Sequence, residues 1–124
     1  MVENRKNIRY ESFAKIIVEG ISEEGIVLKD ISVTGCRVKA STYIEIKPHN
    51  QYELTIVPEE SSEIDSFDLA VEAKWVGVEV DSFEFGFNIV RSPAGKQFEN
   101  YVDYLSWRYS QGNSMIGDGG SEIL

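Results

Sequence analysis

The chain has one cysteine and one histidine among 124 residues. Cys36 alone makes no intramolecular disulfide and no cysteine-based metal site, and His49 alone builds no histidine cluster. Nucleophilic catalysis would need Cys36 or a serine beside His49, yet both stand in ordinary strand or turn contexts. The carboxylates are scattered as on a solvated surface. These shortages point away from an enzyme and away from a metal or other cofactor. No apolar run approaches the ~20 residues of a membrane span, and the N-terminus has no signal-like apolar segment. The expected location is therefore the cytoplasm, without membrane insertion.

Basic residues are also scarce, 12 Lys/Arg against 21 Asp/Glu, for a formal net charge of −9. Binding to DNA or RNA polymers rests on neutralising many phosphates, so this balance argues against a nucleic-acid module. The charge is unevenly spread. Residues 1–47 hold eight of the Lys/Arg and seven of the Asp/Glu, which leaves four against fourteen for the rest. A small dianion fits where the N-terminal arginines lie, whereas the remaining surface repels a long polyanion.

What is present suits one compact domain: 42% hydrophobic and 27% charged residues, in a chain long enough for one core and too short for two. Residues 1–12 are polar, with Ile8 and Tyr10 as apolar anchors, and read as a mobile N-terminal arm. Strands are expected at 13–19, 25–30, 36–40, 51–57, 67–80 and 83–90. The first two form a hairpin around Gly20–Gly25. Cys36 and Val38 share one face of the third strand, and Arg37 and Lys39 the other. Between strands, Tyr43, Ile44 and Ile46 pack down, and residues 58–66 form a solvated acidic loop. Six antiparallel strands close in sequence predict a small closed β-barrel, because closure removes exposed edges. Ser92-Pro93 opens a helix as cap and first helical residue. Its apolar face comprises Phe98, Tyr101, Val102, Leu105 and Tyr109, with Gly112 just past the end. That face packs on the barrel or plugs one mouth. The predicted organisation is an arm at 1–12, barrel plus helix at 13–110, and a flexible tail at 111–124.

The chemistry concentrates in Asp30-Ile31-Ser32-Val33-Thr34-Gly35, a D-x-S-x-x-G stretch between two strands, together with R-x-x-x-R at Arg5 and Arg9. Alternate strand residues share a face, so Asp30 and Ser32 are expected to point the same way. Gly35 permits a positive φ or a close backbone approach to a ligand. Taken singly, each piece has an ordinary explanation: Asp-x-Ser occurs in turns, glycine closes bulges, and terminal arginines form solvated patches. Together they form one site in which guanidinium forks, a carboxylate and a hydroxyl read a guanine edge and a phosphate.

This combination resembles the PilZ family of bacterial receptors for cyclic diguanylate (cyclic di-GMP), whose signature is R-x-x-x-R followed by D/N-x-S-x-x-G. Every signature position is matched, at Arg5, Arg9, Asp30, Ser32 and Gly35. Ala73-Lys74-Trp75-Val76 and Phe85-Gly86-Phe87-Asn88 resemble a later hairpin of the family, so the likeness spans roughly residues 5–91. The resemblance implies a mainly β fold, a six-stranded antiparallel barrel with one C-terminal α-helix. It also implies cyclic di-GMP as ligand: arginines on guanine and phosphate, Asp30 accepting from guanine N1–H and the exocyclic amine, and Ser32 on a phosphate or a guanine acceptor. Lesser candidates are Asn4 and Lys6 beside Arg5, Arg37 beside the corner, Trp75 under a guanine and Arg91 on phosphate. Absence of arginine at Asn4 implies one ligand per site rather than a stacked pair. The implied action is conformational, in a monomer that signals to a separate protein. Motility, adhesion and virulence are the behaviours such receptors regulate. The alternative is a PilZ-like adaptor that binds protein and no nucleotide.

Overall fold

The computed structural model describes residues 8–21, 25–91 and 96–116. Seven strands run in the order β1 (Tyr10–Glu11), β2 (Lys15–Val18), β3 (Ile26–Ile31), β4 (Gly35–Ala40), β5 (Gln51–Val57), β6 (Phe67–Val78) and β7 (Phe83–Arg91), followed by helix α1 (Gln97–Ile116). All pairings are antiparallel, and β3 joins both β2 and β4. The circuit β2-β5-β6-β7-β4-β3 thus closes a six-stranded barrel, and β1 is an extra strand on the flank of β3.

Alternation decides what lies inside. In β2, Ile16 and Val18 are buried while Lys15 and Ile17 face out. In β5, Leu54 and Ile56 are buried, and in β4 Cys36, Val38 and Ala40 are. With Leu28, Ile31, Leu69, Val71 and Phe85 they fill the barrel, each large aliphatic or aromatic contributing about 1.5–3 kcal/mol by leaving water. Ile44 and Ile46, between strands, are buried against the same core, whereas Tyr43 is exposed and meets Phe83 only edge-on.

The helix buries Phe98, Tyr101, Val102 and Leu105, and its aromatic rings lean on Phe67 at the start of β6. Several expectations are corrected here. Tyr109 does not belong to the buried face; it is half exposed and touches Tyr10 by its edge. The helix also continues through Gly112 to Ile116 instead of stopping before that glycine, since glycine weakens a helix interior without forbidding it. The predicted Ser92-Pro93 start and residues 117–124 lie outside the described residues. So do residues 1–7, but the end of the predicted arm is in place: Tyr10 and Glu11 pair with Ile31 and Asp30. Among the described residues no helix is long and apolar enough to cross a membrane.

The register slips at three points; one lies between Ala70 and Val71, near the end of β7, and the other two shape the outer face. Between Leu28 and Asp30, β3 carries one residue more than β4, and between Ala73 and Trp75, β6 carries one more than β7. A β-bulge of this kind turns the following side chain to the opposite face. Without the bulges, Asp30 would follow Leu28 into the core and Trp75 would follow Ala73. Both instead emerge on the outer surface.

Candidate functional site

The two bulges stand at the same level of the barrel. Asp30 pairs with Arg37, Arg37 with Gly86, and Gly86 with Trp75. Directly opposed residues share a face. One row on the outside of β3, β4, β7 and β6 therefore presents a carboxylate, a guanidinium, a bare stretch of backbone and an indole. The next row sets Gly35 opposite Asn88 and Asn88 opposite Glu72.

Asp30 lies on the outer face yet is only 7% exposed, because arginines cover it. Arg37 donates from Nε (2.9 Å) and Nη2 (2.6 Å) to Oδ2, and Arg9 donates from Nη1 to Oδ1 at 3.0 Å. The hydrogen bond to Asp30 pushes the Arg37 pKa above its ordinary value, fixing the charge. Arg37 reaches from the neighbouring strand, in register. Arg9 reaches from the residue preceding β1 and is the more exposed of the two. One row along the same strands, Lys29 Nζ meets the buried Glu84 carboxylate at 2.6 Å.

The corner after Asp30 is built differently from the sequence expectation. The Ser32 hydroxyl is 1% exposed and turns back on its own loop, accepting from the Thr34 and Gly35 amides at 3.2 Å each. Its amide donates to Gly35 O at 2.8 Å, and Thr34 O receives the Ile89 amide at 2.9 Å. Ser32 thus organises the corner and Thr34 O pins it to β7, while Asp30 faces the arginines. Among the described residues the positive-φ glycines are Gly20 and Gly25, and Gly35 is not one of them. Its side chain is excluded by the protein itself: a Cβ would stand 2.7 Å from Phe87 O, with Arg9 Nη2 and Asn88 Oδ1 at 3.8 Å.

Trp75 is 42% exposed and lies against Gly86, its Cε2 and Nε1 at 2.3 Å from where a Cβ would be. The glycine makes room for the indole. Arg91 ends β7 opposite Ala70, away from the Asp30 row. Arg5, Lys6 and Asn4 lie outside the described residues. Arg9, Asp30, Gly35, Arg37 and Trp75 are brought to one face, Ser32 supports it from below, and Arg91 does not join it. Gly86 and Asn88 are additions that strand pairing reveals; their only sequence signal was the F-G-F-N stretch on β7. Burial pushes the Cys36 thiol up to about 12, against which neighbouring Arg9 works in part, so it offers no nucleophile. Among the described residues no group of three or more His, Cys, Asp or Glu is placed to hold a metal ion.

No family model matches the sequence, and no curated protein matches it. The fold is similar to the solved structure of the Bacillus subtilis inhibitor of motility MotI/DgrA. The TM-score is 0.71 at 14% identity, over 86% of this chain and 51% of that one. The chain thus spans about half the length of that protein, and what the two share is the barrel fold.

Proposed function

We propose that this protein is a PilZ-like receptor for cyclic diguanylate, a regulator rather than an enzyme. The observation that carries the reading is the row Asp30–Arg37–Gly86–Trp75, brought to one outer face by two bulges. An ionised carboxylate accepts from the N1–H and amine of guanine, a guanidinium fork reads O6 and N7 or a phosphate, and an indole over a glycine offers a flat apolar seat for a purine. Arg9 sits where it would exchange Asp30 for a phosphate, and Arg5 would approach from the segment before it. Ser32 holds the corner rather than touching the ligand. The signature residues at Arg5, Arg9, Asp30, Ser32 and Gly35 support the same ligand.

A bound ligand would redistribute the arginines and alter the surface offered to a separate protein. The structural neighbour is by its name an inhibitor of motility, which supports motility as the regulated behaviour. One observation favours the adaptor alternative: both oxygens of Asp30 are already bonded, so the carboxylate is fully partnered without a ligand.

Calorimetric titration with cyclic diguanylate decides between them. The receptor reading expects saturable heat that falls about ten- to hundredfold in affinity in Arg9→Ala and Asp30→Ala, the cost of a charge-assisted contact. Absence of heat, with an unchanged melting temperature at high ligand, overturns it in favour of the adaptor.

A further inference from the structure

Four consecutive residues immediately after Arg9 are held by the helix. Tyr10 meets the Tyr109 ring edge-on at 5.7 Å. Glu11 O accepts from Arg108 Nη2 at 2.5 Å. The Ser12 hydroxyl stands 2.6 Å from the Tyr101 hydroxyl, and Phe13 lies under the Arg108 guanidinium at 4.9 Å. Arg108 and Tyr101 are themselves joined by Glu59, on the connection from β5 to β6, which accepts from Arg108 Nη1 (2.5 Å) and Tyr101 OH (2.7 Å). The carboxylate is largely shielded from water, at 15% side-chain exposure, so both bonds are charge-assisted in a poorly hydrated setting. On the other side of the same segment, Glu11 pairs with Asp30, and Arg9 donates to it.

We propose that Arg108, seated on Glu59, is a latch that couples the Asp30 site to helix α1 through the strand between them. Only Tyr10 separates Arg9 from the residue whose carbonyl Arg108 holds, so the segment has no slack. When Arg9 leaves Asp30, β1 loses an anchor and the helix loses the strand it grips. The half-exposed edge formed by Trp107 and Tyr109 is then released from its resting position. The trigger rests on the cyclic diguanylate reading, since a guanine edge on Asp30 Oδ1 displaces Arg9. The linkage itself does not, because Arg9 is already bonded in the free chain.

Amide hydrogen exchange on the full chain tests the linkage without ligand. Arg9→Ala is expected to speed exchange of the helix amides around Leu105–Arg108 about two- to fivefold, the range of a weak ion pair, while β5 is unchanged. Helix exchange equal to wild type overturns the coupling, whether or not the protein binds nucleotide. With cyclic diguanylate added to wild type, the same amides are expected to speed up about three- to tenfold. By reciprocity, Arg108→Gln and Glu59→Gln bind the ligand about three- to tenfold more tightly and have lost the helix response. Unaltered affinity together with a persisting helix response overturns the latch. If wild type takes up no cyclic diguanylate, the receptor reading alone fails, and the Arg9→Ala exchange still decides the coupling.

Discussion

Asp30 and Arg37 face each other across β3 and β4 in direct register, and Arg37 closes both Nε and Nη2 on the single oxygen Oδ2. The other oxygen is left to Arg9, by one bond. The two arginines therefore differ in kind. Arg37 stands on a paired strand and fixes the carboxylate, whereas Arg9 is the exchangeable partner.

This difference predicts unequal effects. Arg37→Ala should weaken cyclic diguanylate binding about tenfold or more and also cost roughly 1 kcal/mol of stability, because a partly buried carboxylate loses its main donors. Arg9→Ala should weaken binding comparably but leave the denaturation midpoint nearly unchanged, as a surface pair contributes about 0–1 kcal/mol. Parallel titration and urea unfolding of both variants measure the contrast. Equal stability losses would contradict the division of roles.

Asp30→Asn keeps the shape and removes the charge. Binding should fall about ten- to hundredfold, since an amide presents a donor where guanine N1–H also donates. The loss should be smaller for a competitor bound only through phosphate. Competition by cyclic diguanylate and by a guanine-free cyclic dinucleotide distinguishes base reading from phosphate binding.

Much of the barrel was legible because its strands alternate cleanly. Gln51–Val57 needed only Leu54 and Ile56 set against Glu53 and Thr55. The D-x-S-x-x-G corner was legible as a unit, although the hydroxyl of Ser32 serves the turn and Gly35 yields to Phe87 O. The outward turn of Trp75 followed from the family resemblance and not from the strand pattern, because a bulge resets the period of two and no residue type in Ala73-Lys74-Trp75 marks it. Glu59 was missed. It reads as one more acid in a solvated loop, and its partners Tyr101 and Arg108 lie 42 and 49 residues away. Long-range polar pairs of this kind leave no local pattern in sequence.

The glycines Gly35 and Gly86 should respond differently to alanine. At Gly35 the new Cβ meets backbone, Phe87 O at 2.7 Å, which moves only with β7. A loss of about 1–3 kcal/mol is expected. At Gly86 the obstacle is the Trp75 side chain, which can swing off, so stability falls by under about 1 kcal/mol while the indole becomes wetter. In a Trp107→Phe background, a red-shifted emission with a nearly unchanged unfolding midpoint would establish this. If Trp75 seats a purine, the same variant also loses affinity.

Alkaline conditions should unfold the chain through two groups that keep their protons in the folded state. Burial pushes Cys36 from 9.0 to about 12, and burial, aided by the Glu59 carboxylate, pushes Tyr101 well above its ordinary 10.0, with the Ser12 bond opposing. Above the ordinary values, the unfolded chain ionises and the folded chain does not, so folding binds protons and stability declines with rising pH. Their contribution is thus complete below about pH 9 and erodes from there for Cys36, and from about pH 10 for Tyr101. Each fully differing proton adds a slope of about 1.4 kcal/mol per pH unit. Urea midpoints at pH 7, 9, 10 and 11 should trace this decline. Cys36→Ala starts from a lower stability, because it leaves a small cavity, but its curve should fall less steeply between pH 9 and 11. Parallel curves for variant and wild type would mean that the thiol does not govern the alkaline limb.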